Sequence, residues 1–200
     1  MFISFEGGEG SGKSTQAKML AEFFRAQGKD VILTREPGGT EIAEEIRTVI
    51  LSKAQINDPL TEMLLLSAAR RDHVENLIKP ALALGKVVIS DRFVDSSVVY
   101  QSYVKELDIV VLNKLINISI GDFAPDITFL IDVAVEIGLA RIASNRRQDT
   151  NHYDNQNLEF HQKVREGFLD LAHKNIERMM IIDGGQDIEE VSKSVRRVFL

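Results

Sequence analysis

The sequence predicts a three-layer α/β domain built on a five-stranded parallel sheet, and three observations carry that expectation. A glycine-rich G-x-x-x-x-G-K-S run, Gly7 to Ser14, stands between an apolar strand and an amphipathic helix. Five short apolar runs recur along the chain, each too short to make a stable helix alone. Helical patterns alternate with them, which is the signature of parallel βαβ units covered by helices on both faces.

Phe2, Ile3 and Phe5 supply the first strand. The loop Gly7, Gly8, Glu9, Gly10, Ser11, Gly12, Lys13, Ser14, Thr15 follows at once. Phosphate oxygens are small and highly charged, so several backbone N–H groups must converge on them, in conformations a Cβ obstructs. Lys13 offers a compact cation for the β- and γ-phosphates, Ser14 a hydroxyl for Mg²⁺, and the next helix its positive end. Met19, Leu20, Phe23 and Phe24 give that helix its spacing, and Gly28 stands where it should stop.

Val31 to Leu33 predicts a second strand, and Arg35 to Thr40 (REPGGT) a turn-rich loop. Ile42, Ile46, Val49 and Ile50 mark a helix. Residues 60–84 form the longest helical candidate, apolar on more than one face, so either the core is thick there or a second subunit covers one side. Val87 to Ile89 is a buried strand ending in Ser90-Asp91-Arg92; charges at the carboxyl end of such a strand lie where open α/β sheets bind ligands. A helix at 109–120, a strand Ile127 to Ile131 ending at Asp132, and a helix from Glu136 to Arg146 come next. The polar segment 147–157 reads as a mobile loop. A helix to Lys174, a strand Met179 to Ile182 and a last helix carrying Ile188, Val191, Val195 and Val198 complete the alternation.

Two hundred residues, 44% hydrophobic and 27% charged, suit one domain spanning 1–200. A net charge of −6 argues against a nucleic-acid partner. With no cysteine, disulfides, thiolate metal sites and cysteine nucleophiles are excluded. No apolar run reaches membrane-span length and no leader pattern precedes the first strand, so a cytoplasmic protein acting on small molecules is expected.

A phosphate loop allows a GTPase switch, an ATP-driven machine or a phosphotransferase. The guanine-reading N-K-x-D is missing, since Asn113-Lys114 is followed by Leu115-Ile116. Asp183-Gly184-Gly185-Gln186 is not a D-x-x-G switch, and Ile182-Asp183 stand where a transporter signature needs leucine and serine. The chain instead carries arginines at predicted strand ends and loops: Arg35, Arg47, Arg70, Arg92, Arg146 and Arg147. Two phosphorylated substrates in one cleft require such charge to be screened. Arg141, Arg165, Arg196 and Arg197 read as solvated surface residues.

The motifs then fall into one order: F-E-G-x-E-G-x-G-K-S-T, R-E-P-G-G-T, A-A-R-x-x-H-V with I-K-P-A-L, D-R-F with S-S-x-x-Y-Q, and P-D-x-T-F-L-I-D-V. That series, from Phe2 to about Ala172, resembles bacterial thymidylate kinase. The resemblance implies a P-loop NTPase fold with a small lid at about 146–157. It also implies ATP and Mg²⁺ as cofactors, thymidine 5′-monophosphate (dTMP) as acceptor, and a homodimer, with which the apolar 60–84 helix agrees. Residue by residue, Gly7 to Thr15 would hold ATP, with Lys13 bridging the transferred group and Ser14 on Mg²⁺. Glu9 would contact the acceptor 3′-OH and help place the metal. Asp91 would hold Mg²⁺ through water, and Arg92 would span donor and acceptor phosphates. Arg47 with Glu36-Pro37 would line the acceptor side, and Arg70 would face the thymine edge. Ser97 and Tyr100 would read the base and crowd the 2′ position, with Gln101 beside them.

The family divides by whether an arginine lies in the phosphate loop or in the lid. Here the loop position is Gly10, so Arg146 and Arg147 in the lid are the candidates. Two positions depart from the family pattern. Leu66 stands where a phenylalanine usually stacks on thymine, a loss of about 0.5–1.5 kcal/mol beyond burial. Asn151-His152-Tyr153-Asp154 replaces the frequent D-R-x-E of the lid. A kinase for another monophosphate, and a nucleotide-binding switch without an acceptor, remain as alternative functions.

Overall fold

The computed structural model describes residues 1–52, 56–144, 153 and 156–200. Strands β1 (Phe2–Glu6), β2 (Val31–Arg35), β3 (Val87–Asp91), β4 (Ile127–Asp132) and β5 (Met179–Asp183) form one sheet, ordered β2-β3-β1-β4-β5. Every pairing is parallel, as expected. Phe5 of β1 registers with Asp91 of β3 and Phe129 of β4. All five strands therefore end on the same edge, where β1 carries Glu6 and β3 carries Asp91.

Side chains alternate across β1. Ile3 and Phe5 enter a core with helices α1 (Lys13–Ala26) and α9 (Ile188–Arg196), built on Leu20, Phe24, Val191 and Val195. Phe2 points the other way, into a cluster with Val74, Ile78 and Phe93, and stands edge-on to the Phe93 ring at 5.0 Å between centroids. A third cluster joins Leu130 of β4 to Val164, Phe168 and Ala172 of α8 (Leu158–Lys174). Fully burying a side chain of this size contributes about 1.5–3 kcal/mol, so the two layers beside the sheet are what hold its edge in place.

The strands are less uniformly apolar than two-sided burial suggests. Ser4 and Glu6, on the Phe2 side of β1, are fully buried. Ser4 shares a hydrogen bond with Thr128 of β4 at 2.7 Å; Arg178 donates to Thr128 at 2.8 Å and forks onto Asp95 at 2.7 and 2.9 Å. A polar seam thus runs beneath the site.

The helical candidates are found with altered boundaries. Helix α2 spans Glu41–Ile50, but Ile42 and Val49 lie exposed while Ala43 and Ile50 are buried. The 60–84 expectation becomes α3 (Pro59–His73), a π-helical turn (Val74–Ile78) and α4 (Lys79–Ala83). An unforeseen element follows the Asp91-Arg92-Phe93 corner: α5 (Val94–Ser97), running into a π-helix over Val98–Val104. Helices α6 (Ile109–Ile120) and α7 (Val135–Ser144) match expectation, α7 as far as the described residues go. No helix among the described residues is long and apolar enough to cross a membrane.

Candidate active site

The phosphate loop turns between β1 and α1 through backbone that favours glycine, with φ of 70° at Gly10 and 94° at Gly12. Gly12 precedes α1, so the helix presents its unpaired N–H groups to the cleft. At Gly10 the reason for glycine is also steric, because a Cβ there would lie 2.1 Å from the carbonyl oxygen of Gly138 on α7. Lys13 is buried and donates to the Gly8 carbonyl at 3.2 Å. Burial, then the positive charge of Arg92, pulls its ammonium group below the ordinary lysine value, while Asp91, Glu9 and Glu6 push back.

Ser14 donates to the Asp91 carboxylate, and the other Asp91 oxygen, Oδ1, is buried without a hydrogen-bond partner among the described residues. A hydroxyl and a carboxylate with a free oxygen beside a phosphate loop form a hard-oxygen donor set that fits Mg²⁺. Thr15 is exposed at the start of α1 and does not line the central cavity.

Arg92 occupies the left-handed region, with φ of 71°. Its backbone is held from both sides, since its N–H donates to Phe5 O at 2.9 Å and its carbonyl accepts from Ser90 Oγ at 2.7 Å. The guanidinium reaches Glu9 Oε1 at 2.8 Å and Ser96 Oγ at 3.0 Å, with Tyr100 Oη at 3.4 Å. Glu9 is nearly enclosed and also accepts from the Tyr100 hydroxyl at 2.8 Å. Burial opposes its charge, but Arg92, Lys13 and the Tyr100 hydroxyl outweigh burial and hold the carboxyl below its ordinary range.

The acceptor side is assembled from α3, β2 and the α5 corner. Glu36, after β2 and joined to Pro37 by a cis peptide, accepts from Arg70 Nε at 2.7 Å and pairs with His73 Nδ1 at 3.2 Å. Arg70 Nη2 donates to Ser97 Oγ at 2.8 Å, which leaves Nη1 buried with no partner among the described residues. Arg47 donates to the Pro37 carbonyl at 2.8 Å. Gln101 turns toward Glu62, donating to Oε2 at 2.9 Å. Leu66 forms wall without an aromatic face.

One cavity of about 280 Å³ runs from Lys13 and Ser14 past Arg92 to Arg70 and Tyr100. It brings together Glu9, Gly10, Lys13, Ser14, Asp91 and Arg92 with the acceptor-side Glu36, Pro37, Arg47, Leu66, Arg70, Ser97, Tyr100 and Gln101. Arg146 and Arg147, and most of the expected lid, lie outside the described residues. Tyr153 of that segment does line the cavity; its hydroxyl donates to Glu62 Oε1 at 2.5 Å and its ring stands edge-on to Tyr100 at 5.4 Å.

Several site residues were not foreseen. Glu6 and Glu62 are fully buried carboxyls inside otherwise ordinary strand and helix patterns, and no local spacing signals them. Arg141, expected to be a solvated surface residue, instead donates to the Gly184 carbonyl at 3.0 Å and approaches the Gly10 and Ser11 carbonyls at 3.5 Å. Arg165 is partly exposed but forks onto Asp132 at 2.8 and 2.9 Å.

The thymidylate kinase family profile matches residues 5–195. A thymidylate kinase of Symbiobacterium thermophilum is 45% identical over 199 residues, covering 99% of this chain and 92% of the relative. One from Geobacter sulfurreducens is 44% identical over 206 residues, covering 100% and 96%. Among solved structures, the crystal structure of thymidylate kinase from Ehrlichia chaffeensis superposes with a TM-score of 0.81 at 39% identity, covering 100% of this chain and 97% of that one.

Proposed function

The chain belongs to the thymidylate kinase family, and on that premise we propose how its site moves the γ-phosphoryl group of ATP onto dTMP. It is a nucleoside monophosphate kinase producing dTDP and ADP. The observation that carries the site assignment is one continuous cavity, which joins a phosphate loop at one end to an Arg70 Nη1 with no partner among the described residues at the other.

In this reading the loop from Gly7 to Thr15 holds the ATP phosphates, and Lys13 travels with the transferred group. Arg92, kept charged by Glu9 and Asp91 against its burial, spans the donor and acceptor phosphates. Glu9, ionised and aimed by Arg92 and Tyr100, meets the acceptor sugar. Arg70 donates its free Nη1 proton to the base edge, with Ser97 and Gln101 beside it, while Arg47 and the Glu36-Pro37 turn close the monophosphate side. Transfer needs no protein nucleophile; positioning and charge stabilisation supply the catalysis. Ser14 and Asp91 would hold Mg²⁺, which when bound neutralises charge on the phosphates, with Glu9 close by. Arg146 and Arg147 are proposed to add lid charge, since Gly10 brings none.

The proposal extends to one domain acting in the cytoplasm as a homodimer. Support for the dimer comes from Leu60 and Leu64, one turn apart on α3, and from Ile109 and Val110 at the start of α6, all exposed. An assay of ADP formation across a panel of nucleoside monophosphates tests the whole reading. dTMP should be the fastest acceptor, and deoxyuridine monophosphate a slower one, because a methyl group adds only about 1–3 kcal/mol of discrimination. ATP turnover indifferent to every monophosphate would overturn it.

A further inference from the structure

We propose that Glu6 is a positioning residue for Arg92, gripping the arginine at both its backbone and its guanidinium through one buried carboxyl group. The inference rests on the reading of Arg92 as the residue that spans the two phosphates.

Glu6 closes β1 one residue before the phosphate loop, and none of it is exposed. Its Oε1 accepts the Phe93 backbone N–H at 2.7 Å. That amide follows Arg92, so the bond fixes the peptide leaving a residue at φ 71°, a conformation that side chains other than glycine adopt only when their surroundings over-determine it. Its Oε2 is 2.6 Å from Ser96 Oγ, and Ser96 Oγ in turn accepts from Arg92 Nη1 at 3.0 Å. One carboxyl thus holds the peptide after the arginine and, through a single hydroxyl, the charged end of its side chain.

A carboxyl placed only to balance Arg92 would be expected to touch the guanidinium, as Glu9 does at 2.8 Å. Glu6 does not; it holds the two groups that determine where Arg92 points. Its surroundings fit that role. Burial, then the nearby Asp95 carboxylate, raises the Glu6 carboxyl from 4.5 to about 8, against the pull of Arg92, Ser96 and the Phe93 N–H. Asp95 is committed to Arg178, and both Arg178 and Lys13 also sense Glu6. The carboxyl accepts from the Phe93 N–H with one oxygen and from the Ser96 hydroxyl with the other. Glutamine keeps the acceptor for Phe93 and sets an amide beside the Ser96 hydroxyl, which can turn to accept from it, whereas alanine offers neither.

The test is steady-state kinetics at pH 7 on Arg92→Ala, Glu6→Gln, Glu6→Ala, Ser96→Ala and the Glu6→Ala/Arg92→Ala pair, with folding followed by circular dichroism. Glu6→Ala should lower kcat by about 10²-fold, the scale of a 1 Å misplacement, with both KM values within about threefold of the parent. Glu6→Gln should keep kcat within about threefold, and the double variant should be no slower than Arg92→Ala alone, since residues acting as one unit are not additive. Should Glu6→Ala fail to fold, Ser96→Ala and its pair with Arg92→Ala give the same cycle, with a loss of roughly tenfold that also vanishes in the pair. Losses that multiply with Arg92→Ala, or a Glu6→Ala enzyme with parental kcat, overturn the role of Glu6. The reading of Arg92 fails separately, if Arg92→Ala alone costs less than about tenfold where arginine fingers are worth 10³ or more.

Discussion

At the scale of single residues, Leu66 and Glu6 show two different limits of reading a sequence. Leu66 is legible because the resemblance to the family implies a phenylalanine four residues before Arg70, and it occupies the cavity wall near Arg70 and Gln101. Leu66→Phe should restore an aromatic face worth about 0.5–1.5 kcal/mol, lowering the KM for dTMP by about 2- to 10-fold in the coupled assay. Glu6 is illegible because a carboxyl at a strand end is ordinarily solvated, and only tertiary packing buries it. The structure makes its titration visible in stability. Its carboxyl sits near 8 when folded and near 4.5 when not, so the folded state holds the extra proton between those values. The resulting contribution is complete below pH 4.5 and is lost as the pH rises through 8. Glu6→Gln, which never ionises, should match the parent at pH 5. At pH 9 it should exceed the parent by several kcal/mol, a Tm gain of roughly 10 °C by calorimetry.

At the scale of elements, the five strands and the helices after β1 and β5 were readable from periodicity, because each buries a stripe against one sheet face. The α5 corner and its π-helical continuation were not, since their residues serve Arg92, Arg70 and Glu62 as much as the core. The contact between the phosphate loop and α7 was equally hidden, because two glycines 128 positions apart carry no shared pattern. At Gly138 an added Cβ would meet the Glu9 carbonyl at 2.6 Å, so helix and loop stand backbone to backbone. Gly138→Ala should cost about 1–3 kcal/mol in urea unfolding, as overpacking does. By displacing the loop it should also lower kcat/KM for ATP by roughly tenfold or more. The same contact explains why an arginine cannot simply be placed at Gly10, which has a positive φ and no room for a Cβ.

At the scale of the whole molecule, sheet order and chemistry coincide. β1 lies between β3 and β4, and the loops leaving β1 and β3 meet at one edge, as nucleotide sites in open parallel sheets do. That much follows from alternating elements and charged strand ends. The acceptor pocket's inner wiring does not, because Glu36, Arg70, His73 and Ser97 come from three separate segments. The exposed apolar faces of α3 and α6 lead to an expected mass of twice 22.4 kDa in sedimentation equilibrium at micromolar concentration, and a monomer there would remove the dimer from the account. The unpaired Arg70 Nη1 also bears on inhibition. A ligand that fills the pocket with hydrocarbon leaves that buried charged N–H without a partner, whereas a carbonyl placed against it supplies a hydrogen bond worth about 1.5–3 kcal/mol. Greasy scaffolds should therefore reach an affinity ceiling that a single well-placed carbonyl lifts by tenfold or better, which makes one atom of this arginine the first thing for a medicinal chemist to satisfy.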